Sequence, residues 1–171
     1  GMHDYGLWGT VPAAASAYPH AKPDSVGVPH ETGSTVLVTP FNETAAAIAM
    51  SEHLAKHGVS HVVLERNRIA EAWRSGRWDS LKANGPAWHD RFPGLEFDDL
   101  SPDAFAGKER VANYFETYAR QLNAPIRTGV EVKRVDRNMA RPGFTVTTSE
   151  GIIEARRVVA ATGPFQRPVI P

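Results

Sequence analysis

The chain has 171 residues, no cysteine, and 19 basic residues balanced by 19 acidic ones. That composition excludes disulfides, thiolate nucleophiles and zinc–thiolate sites, and it supplies no net charge that would draw nucleic acid. Hydrophobic residues at 42% and charged residues at 22% suit one soluble globular unit with a real core. The longest apolar runs fall short of the roughly 20 residues of a membrane helix, so the expectation is a cytoplasmic protein with neither a membrane nor a nucleic-acid partner.

Residues 1–34 contain Pro12, Pro19, Pro23 and Pro29 among Ala, Ser and Gly, with no sustained periodicity. They read as an extended N-terminal arm, in which Tyr5, Leu7 and Trp8 form an apolar segment able to dock on a neighbouring surface. Residues 35–171 read as a single domain.

The domain opens with a short apolar strand, Thr35-Val36-Leu37-Val38, followed by an alanine-rich helix from Thr44 to His57 that Gly58 ends. Alanine is the strongest helix former and glycine the common left-handed cap. A second apolar strand, His61 to Glu65, closes on a carboxylate. This βαβ pattern requires parallel strands with a right-handed crossover. An acid at the tip of the second strand is the layout of a dinucleotide site, where the first turn meets a pyrophosphate and the acid holds a ribose hydroxyl.

The first turn departs from the G-x-G-x-x-G fingerprint, because its three glycine positions hold Thr39, Phe41 and Thr44. Thr39 precedes Pro40, which biases it toward extended geometry, and Phe41 brings a benzyl group where bare backbone would approach phosphate. The helix N-terminus still offers N–H groups and a positive dipole end. Anion binding there needs a different loop path.

Downstream, residues 66–81 combine Trp73 and Trp78 with Arg66, Arg68, Arg74 and Arg77. Guanidinium and indole groups suit phosphates and flat heteroaromatic rings, and equally a core with solvated arginines around it. Residues 84–108 form a long irregular excursion in which His89-Asp90 reads as a surface pair. Glu109 to Leu122 carries an apolar stripe of Val111, Phe115, Tyr118 and Leu122 and reads as a helix packed on the sheet. Strands follow at Val130–Val135, Phe144–Thr148 and Ile152–Arg156 as a small antiparallel meander, and Arg157 to Gly163 is a last strand entering a glycine turn.

Taken together, these parts resemble the N-terminal FAD-binding half of the two-dinucleotide-domain flavoproteins, in detail the flavin-containing monooxygenase-like group. The residues that carry the resemblance are Glu65-Arg66, Ala72-Trp73-Arg74 with Trp78 and Leu81, the Pro86–Pro93 loop, Tyr114 and Tyr118, the strand from Thr128 to Val135, and Ala161-Thr162-Gly163-Pro164-Phe165 with Pro168. The resemblance implies an α/β, Rossmann-like three-layer FAD/NAD(P)-binding domain, a parallel sheet with a small antiparallel β-meander, incomplete at the C-terminus. It implies that Glu65 binds the adenosine ribose and that Arg66 lies beside the adenine. Trp73 and Arg74 would border the pyrophosphate and flavin side, the Val132 backbone would meet the adenine edge, and Ala161-Thr162-Gly163 would pass next to the cofactor. Thr39, Phe41 and Thr44 occupy the phosphate turn. The family's nicotinamide domain, and with it an NADPH site, is expected to be missing from these 171 residues.

Two functions are consistent with this reading. One is the FAD-binding portion of a flavin-dependent oxidoreductase of the monooxygenase kind, in which no side chain here is a committed acid or base and the cofactor carries the chemistry. The other is a non-catalytic module that has lost FAD and binds protein or a small ligand. An incompletely covered sheet is a template for association, so a homo-oligomer with the arm near its interface is also expected.

Overall fold

The computed structural model describes residues 35–39 and 44–162. The expected arm of residues 1–34, Phe41 of the phosphate turn and Gly163 lie outside the described residues. Strand β1 (Thr35–Thr39), helix α1 (Thr44–Lys56) and strand β2 (His61–Glu65) form the expected unit. The two strands are parallel, with Val36 opposite Val62 and Thr39 opposite Glu65. Gly58, at φ +64°, turns the chain out of α1 in the left-handed conformation that glycine adopts without penalty.

Strand β3 (Ile126–Thr128) pairs parallel with the far side of β2, and the last strand, β7 (Arg157–Ala160), pairs parallel with the other side of β1. The sheet order is therefore β3-β2-β1-β7. Between these two edge strands in sequence, β4 (Val132–Arg137), β5 (Phe144–Thr148) and β6 (Gly151–Ala155) form an antiparallel meander. Its first strand starts two residues later than expected, because Val130 is spent on a contact with β2. The three-residue β3 was not anticipated as a separate strand of the parallel sheet; the expected strand from Thr128 to Val135 is divided between β3 and β4. The Ile-Arg-Thr sequence of β3 is too short to show a period.

Alternation along β1 and β2 explains why these strands are apolar throughout. Val36, Val38, Val62 and Leu64 pack with Val130, Val146, Ile153 and Ala155 on the meander side. Leu37 and Val63 pack with Ala47 of α1 on the other. A strand buried on both faces reads as a continuous hydrophobic run, and the result is three layers: helix, parallel sheet, meander.

Two further helices, α2 (Glu71–Ser75) and α3 (Lys108–Gln121), complete the helical side. The predicted stripe of α3 is buried at Val111, Phe115 and Tyr118, but its partner is not chiefly the sheet as expected. These residues join Ile48 of α1, Ala70, Ala83, and Ala87, Phe97 and Ala106 of the excursion in one cluster. The excursion carries its own aromatic rings, and they fill the space beside α3: Phe97 stacks on Tyr114 at 4.3 Å between ring centroids and Phe92 on Tyr118 at 4.8 Å. Tyr114 fixes the excursion further, its hydroxyl donating to the Leu95 carbonyl at 2.8 Å and accepting from the Phe92 N–H at 2.6 Å. Burial raises the Tyr114 pKa, so it stays a neutral hydrogen-bonding group.

Candidate functional site

In the parallel sheet the chain leaves β1 toward β2 on one side, while β7 lies on the other. The carboxyl ends of β1 and β7 therefore flank the point where strand order reverses, which is where open α/β sheets bind ligands. Thr39 and Glu65 end neighbouring strands in register, Thr128 of β3 stands opposite Glu65, and the N–H of Ala161 donates to the Val38 carbonyl at 2.9 Å. Thr39, Glu65, Thr128 and Ala161 thus share one edge.

Glu65 is the chemically distinctive member. It is 4% exposed, and its carboxylate accepts the Asn67 N–H at 2.8 Å. The Glu65 carbonyl accepts the Val130 N–H at 3.0 Å, which ties the start of the meander, and Val132 two residues on, to the same edge. Arg66 projects outward, its guanidinium 3.9 Å from Glu131 with both side chains about half exposed, an arrangement worth little in stability.

Thr44 begins α1 and is buried at 8% exposure. Its hydroxyl oxygen accepts the N–H of Ala70 at 3.3 Å. Ala70 is fully buried and left-handed, at φ 59° and ψ 25°, and it brings α2 against the opening of α1. Nothing in the sequence marks Ala70 for this role.

The two α2 residues expected at the pyrophosphate and flavin side are held on α3. Trp73 meets Phe115 edge-on at 6.1 Å, and the Arg77 guanidinium lies 5.8 Å from the Trp73 ring centre. Arg74 is 11% exposed and reaches Glu116 at 3.3 Å and Glu109 at 3.8 Å. Its remaining donors go to Asn113 at 2.9 Å and to the Ile69 carbonyl at 3.4 Å. Trp78, by contrast, is 63% exposed and fills no core.

The His89–Asp90 pair, read from the sequence as a surface feature, ties its own loop together, with His89 half exposed and Asp90 largely covered. The His89 ring nitrogen lies 2.8 Å from one Asp90 oxygen while the other accepts the Gly85 N–H at 2.8 Å. Among the described residues no group of three His, Asp or Glu side chains could hold a metal, and no helix is long and apolar enough to cross a membrane.

The sequence pattern of the pyridine nucleotide-disulphide oxidoreductases matches residues 45–171. The chain belongs to this family. Among curated members of the wider group, the uncharacterized CzcO-like oxidoreductase of Geobacillus kaustophilus (strain HTA426) is 35% identical over 135 residues, covering 78% of this chain and 38% of that protein. The probable indole-3-pyruvate monooxygenase YUCCA4 of Arabidopsis thaliana is 28% identical over 127 residues, covering 74% of this chain and 31% of that one. In fold, the flavin-containing monooxygenase from Stenotrophomonas maltophilia superposes with a TM-score of 0.64 at 22% identity, covering 82% of this chain and 42% of that chain. The expected likeness to flavin-containing monooxygenase-like proteins and the Rossmann-like fold with its meander are thereby borne out. This pyridine nucleotide-disulphide oxidoreductase family member spans less than two-fifths of the length of those two curated relatives.

Proposed function

We propose that this chain is the FAD-binding portion of a flavin-dependent, monooxygenase-like oxidoreductase. The observation that carries the reading is the buried Glu65 carboxylate at the end of β2, in register with Thr39 beside the reversal of strand order. Glu65 would accept hydrogen bonds from the adenosine ribose, with Arg66 beside the adenine and the Val132 backbone at its edge. The opening of α1 at Thr44 would face the pyrophosphate with its N–H groups, and Thr39 with Ala161-Thr162 would line the carboxyl edge. Trp73 would border the flavin side as a fixed apolar wall, and Arg74 would act by holding α2 on α3. The flavin, once bound, supplies the redox and oxygen chemistry. The protein's part is to bind and orient it.

Flavin fluorescence titration tests this. FAD should bind, and Glu65→Gln should weaken binding about tenfold, the size of one charge-assisted hydrogen bond lost at about 1.4 kcal/mol. Absence of FAD binding by the wild-type chain would overturn the reading and favour the second one, a flavoprotein-like module without cofactor. That alternative rests on Thr39, Phe41 and Thr44 at the glycine positions and on the commitment of Arg74 to α3. We further propose a cytoplasmic, self-associating protein, on the soluble cysteine-free composition; light scattering during size exclusion, showing a dimer or larger, checks the association.

A further inference from the structure

The histidines of the described residues fall into two kinds. His61 commits both ring nitrogens, to the Ser51 hydroxyl and the Val59 carbonyl, and His89 is paired with Asp90. His53 lies in the last turn of α1 and His57 directly follows the helix, and neither ring has a hydrogen-bond or ion-pair partner among the described residues. His57 is exposed and His53 half-buried.

These two rings stand one turn apart on the same side. The His57 N–H donates to the His53 carbonyl at 3.1 Å, which is the bond of a regular α-helix, so helical geometry runs through His57. Residues four apart project from one face with their β-carbons about 5–6 Å from each other, the spacing at which two imidazoles on a helix hold one metal ion. The buried residues Ala47, Ile48 and Ser51 take the other side of α1.

The helix end that carries the pair is held. The Gly58 N–H donates to the Ala55 carbonyl at 3.0 Å and the Val59 N–H to the Leu54 carbonyl at 2.8 Å, the two bonds that close a helix around a left-handed glycine. The carboxyl end of a helix carries partial negative charge, which favours a cation beside it. Glu52 is within electrostatic reach of His53, but its two oxygens go to Lys56 and to the Tyr118 hydroxyl. It therefore neutralises Lys56 and adds no third donor, in keeping with the absence of any three-residue metal cluster among the described residues.

We propose that His53 and His57 form a two-histidine site on the outer face of α1 for a divalent transition-metal ion of the zinc kind, with water completing its coordination. Imidazole nitrogen suits zinc, copper and nickel, whereas magnesium and calcium take oxygen donors, so the site selects by donor type. It lies at the amino end of the parallel sheet, where the Thr35 N–H donates to the Ser60 carbonyl at 3.0 Å. The carboxyl edge with Thr39 and Glu65 is at the opposite end of the same strands, and the metal site is independent of the cofactor.

Zn2+ titrated into the full chain, with histidine ring and backbone amide resonances followed by NMR, tests the proposal. Saturable changes are expected at the His53 and His57 rings and at the amides of residues 53–58, with the His61 and His89 rings unmoved and no response to Mg2+ at the same concentration. His53→Gln and His57→Gln should each lower the affinity at least about tenfold, because the second donor of a chelate binds at high effective concentration and either loss removes that gain. No saturable change at these two rings, an unchanged affinity in either variant, or changes centred on His3, His20 or His30 in their place would overturn it. Glutamine is a good helix former, and the thermal midpoint reports whether the fold is kept; should His53→Gln disturb it, the exposed His57→Gln carries the test. A chain that takes no flavin would leave this result standing.

Discussion

The Thr44 hydroxyl accepts the N–H of Ala70 across 26 residues of sequence, at 3.3 Å and out of water. It joins the opening of α1 to the left-handed residue that launches α2, and so fixes how the Trp73 segment stands relative to the carboxyl edge of the sheet. Thr44→Val keeps the shape and removes the acceptor. Leaving the Ala70 N–H unsatisfied costs about 1–3 kcal/mol, and denaturant unfolding should show that loss, with Thr44→Ser restoring most of it.

A second long-range bond pins α3 to α1. The Tyr118 hydroxyl donates to the Glu52 carboxylate at 2.8 Å, while Lys56 pairs with Glu52 from the next turn of α1. Burial works to raise the Glu52 pKa, yet the bonds from Lys56 and Tyr118 outweigh it and hold Glu52 below its ordinary value. For a depressed carboxylate the stabilisation is present above the unfolded value, near 4.5, and is lost as pH falls through the folded one. Tyr118→Phe should therefore cost about 1–3 kcal/mol at neutral pH and leave a weaker dependence of stability on acid below about pH 4.5. Unfolding of both proteins across the acid range measures this.

His61 gives a distinct acid response. Its Nδ1 lies 2.9 Å from the Val59 carbonyl and its Nε2 lies 2.7 Å from the Ser51 hydroxyl, so the neutral ring donates from Nδ1 and accepts the Ser51 proton at Nε2. Burial lowers its pKa from the usual 6.5, against the bond to Val59, which raises it. The unfolded chain then binds the proton more readily, so stability falls as pH drops below about 6.5 and stops falling below the folded value. His61→Gln should flatten that part of the stability profile.

The two tryptophans of the α2 region should differ sharply. Trp73 packs on Phe115 against the helical core, and Trp73→Ala should cost about 3 kcal/mol. Trp78 is exposed, and Trp78→Ala should change stability by less than about 0.5 kcal/mol. In FAD titrations Trp73→Ala should weaken binding, and an unchanged affinity would remove Trp73 from the proposed flavin wall.

The βαβ unit was legible from residues 35–65 because a strand buried on both faces must be apolar at every position and an alanine-rich segment ended by Gly58 has few other structures open to it. Glu65 could be singled out for the same reason, as a carboxylate at the tip of such a strand. The meander showed as three short strand segments in succession, Val130–Val135, Phe144–Thr148 and Ile152–Arg156. What sequence could not decide were pairings between distant segments: β3 beside β2, the Thr44–Ala70 bond, α3 lying on the excursion rather than chiefly on the sheet, and Arg74 turning to Glu109 and Glu116. Local periodicity records which side of an element is apolar, but not which of several apolar surfaces will cover it. Only tertiary packing chose those partners, because the rings of Phe92 and Phe97 fill the space beside Tyr114 and Tyr118.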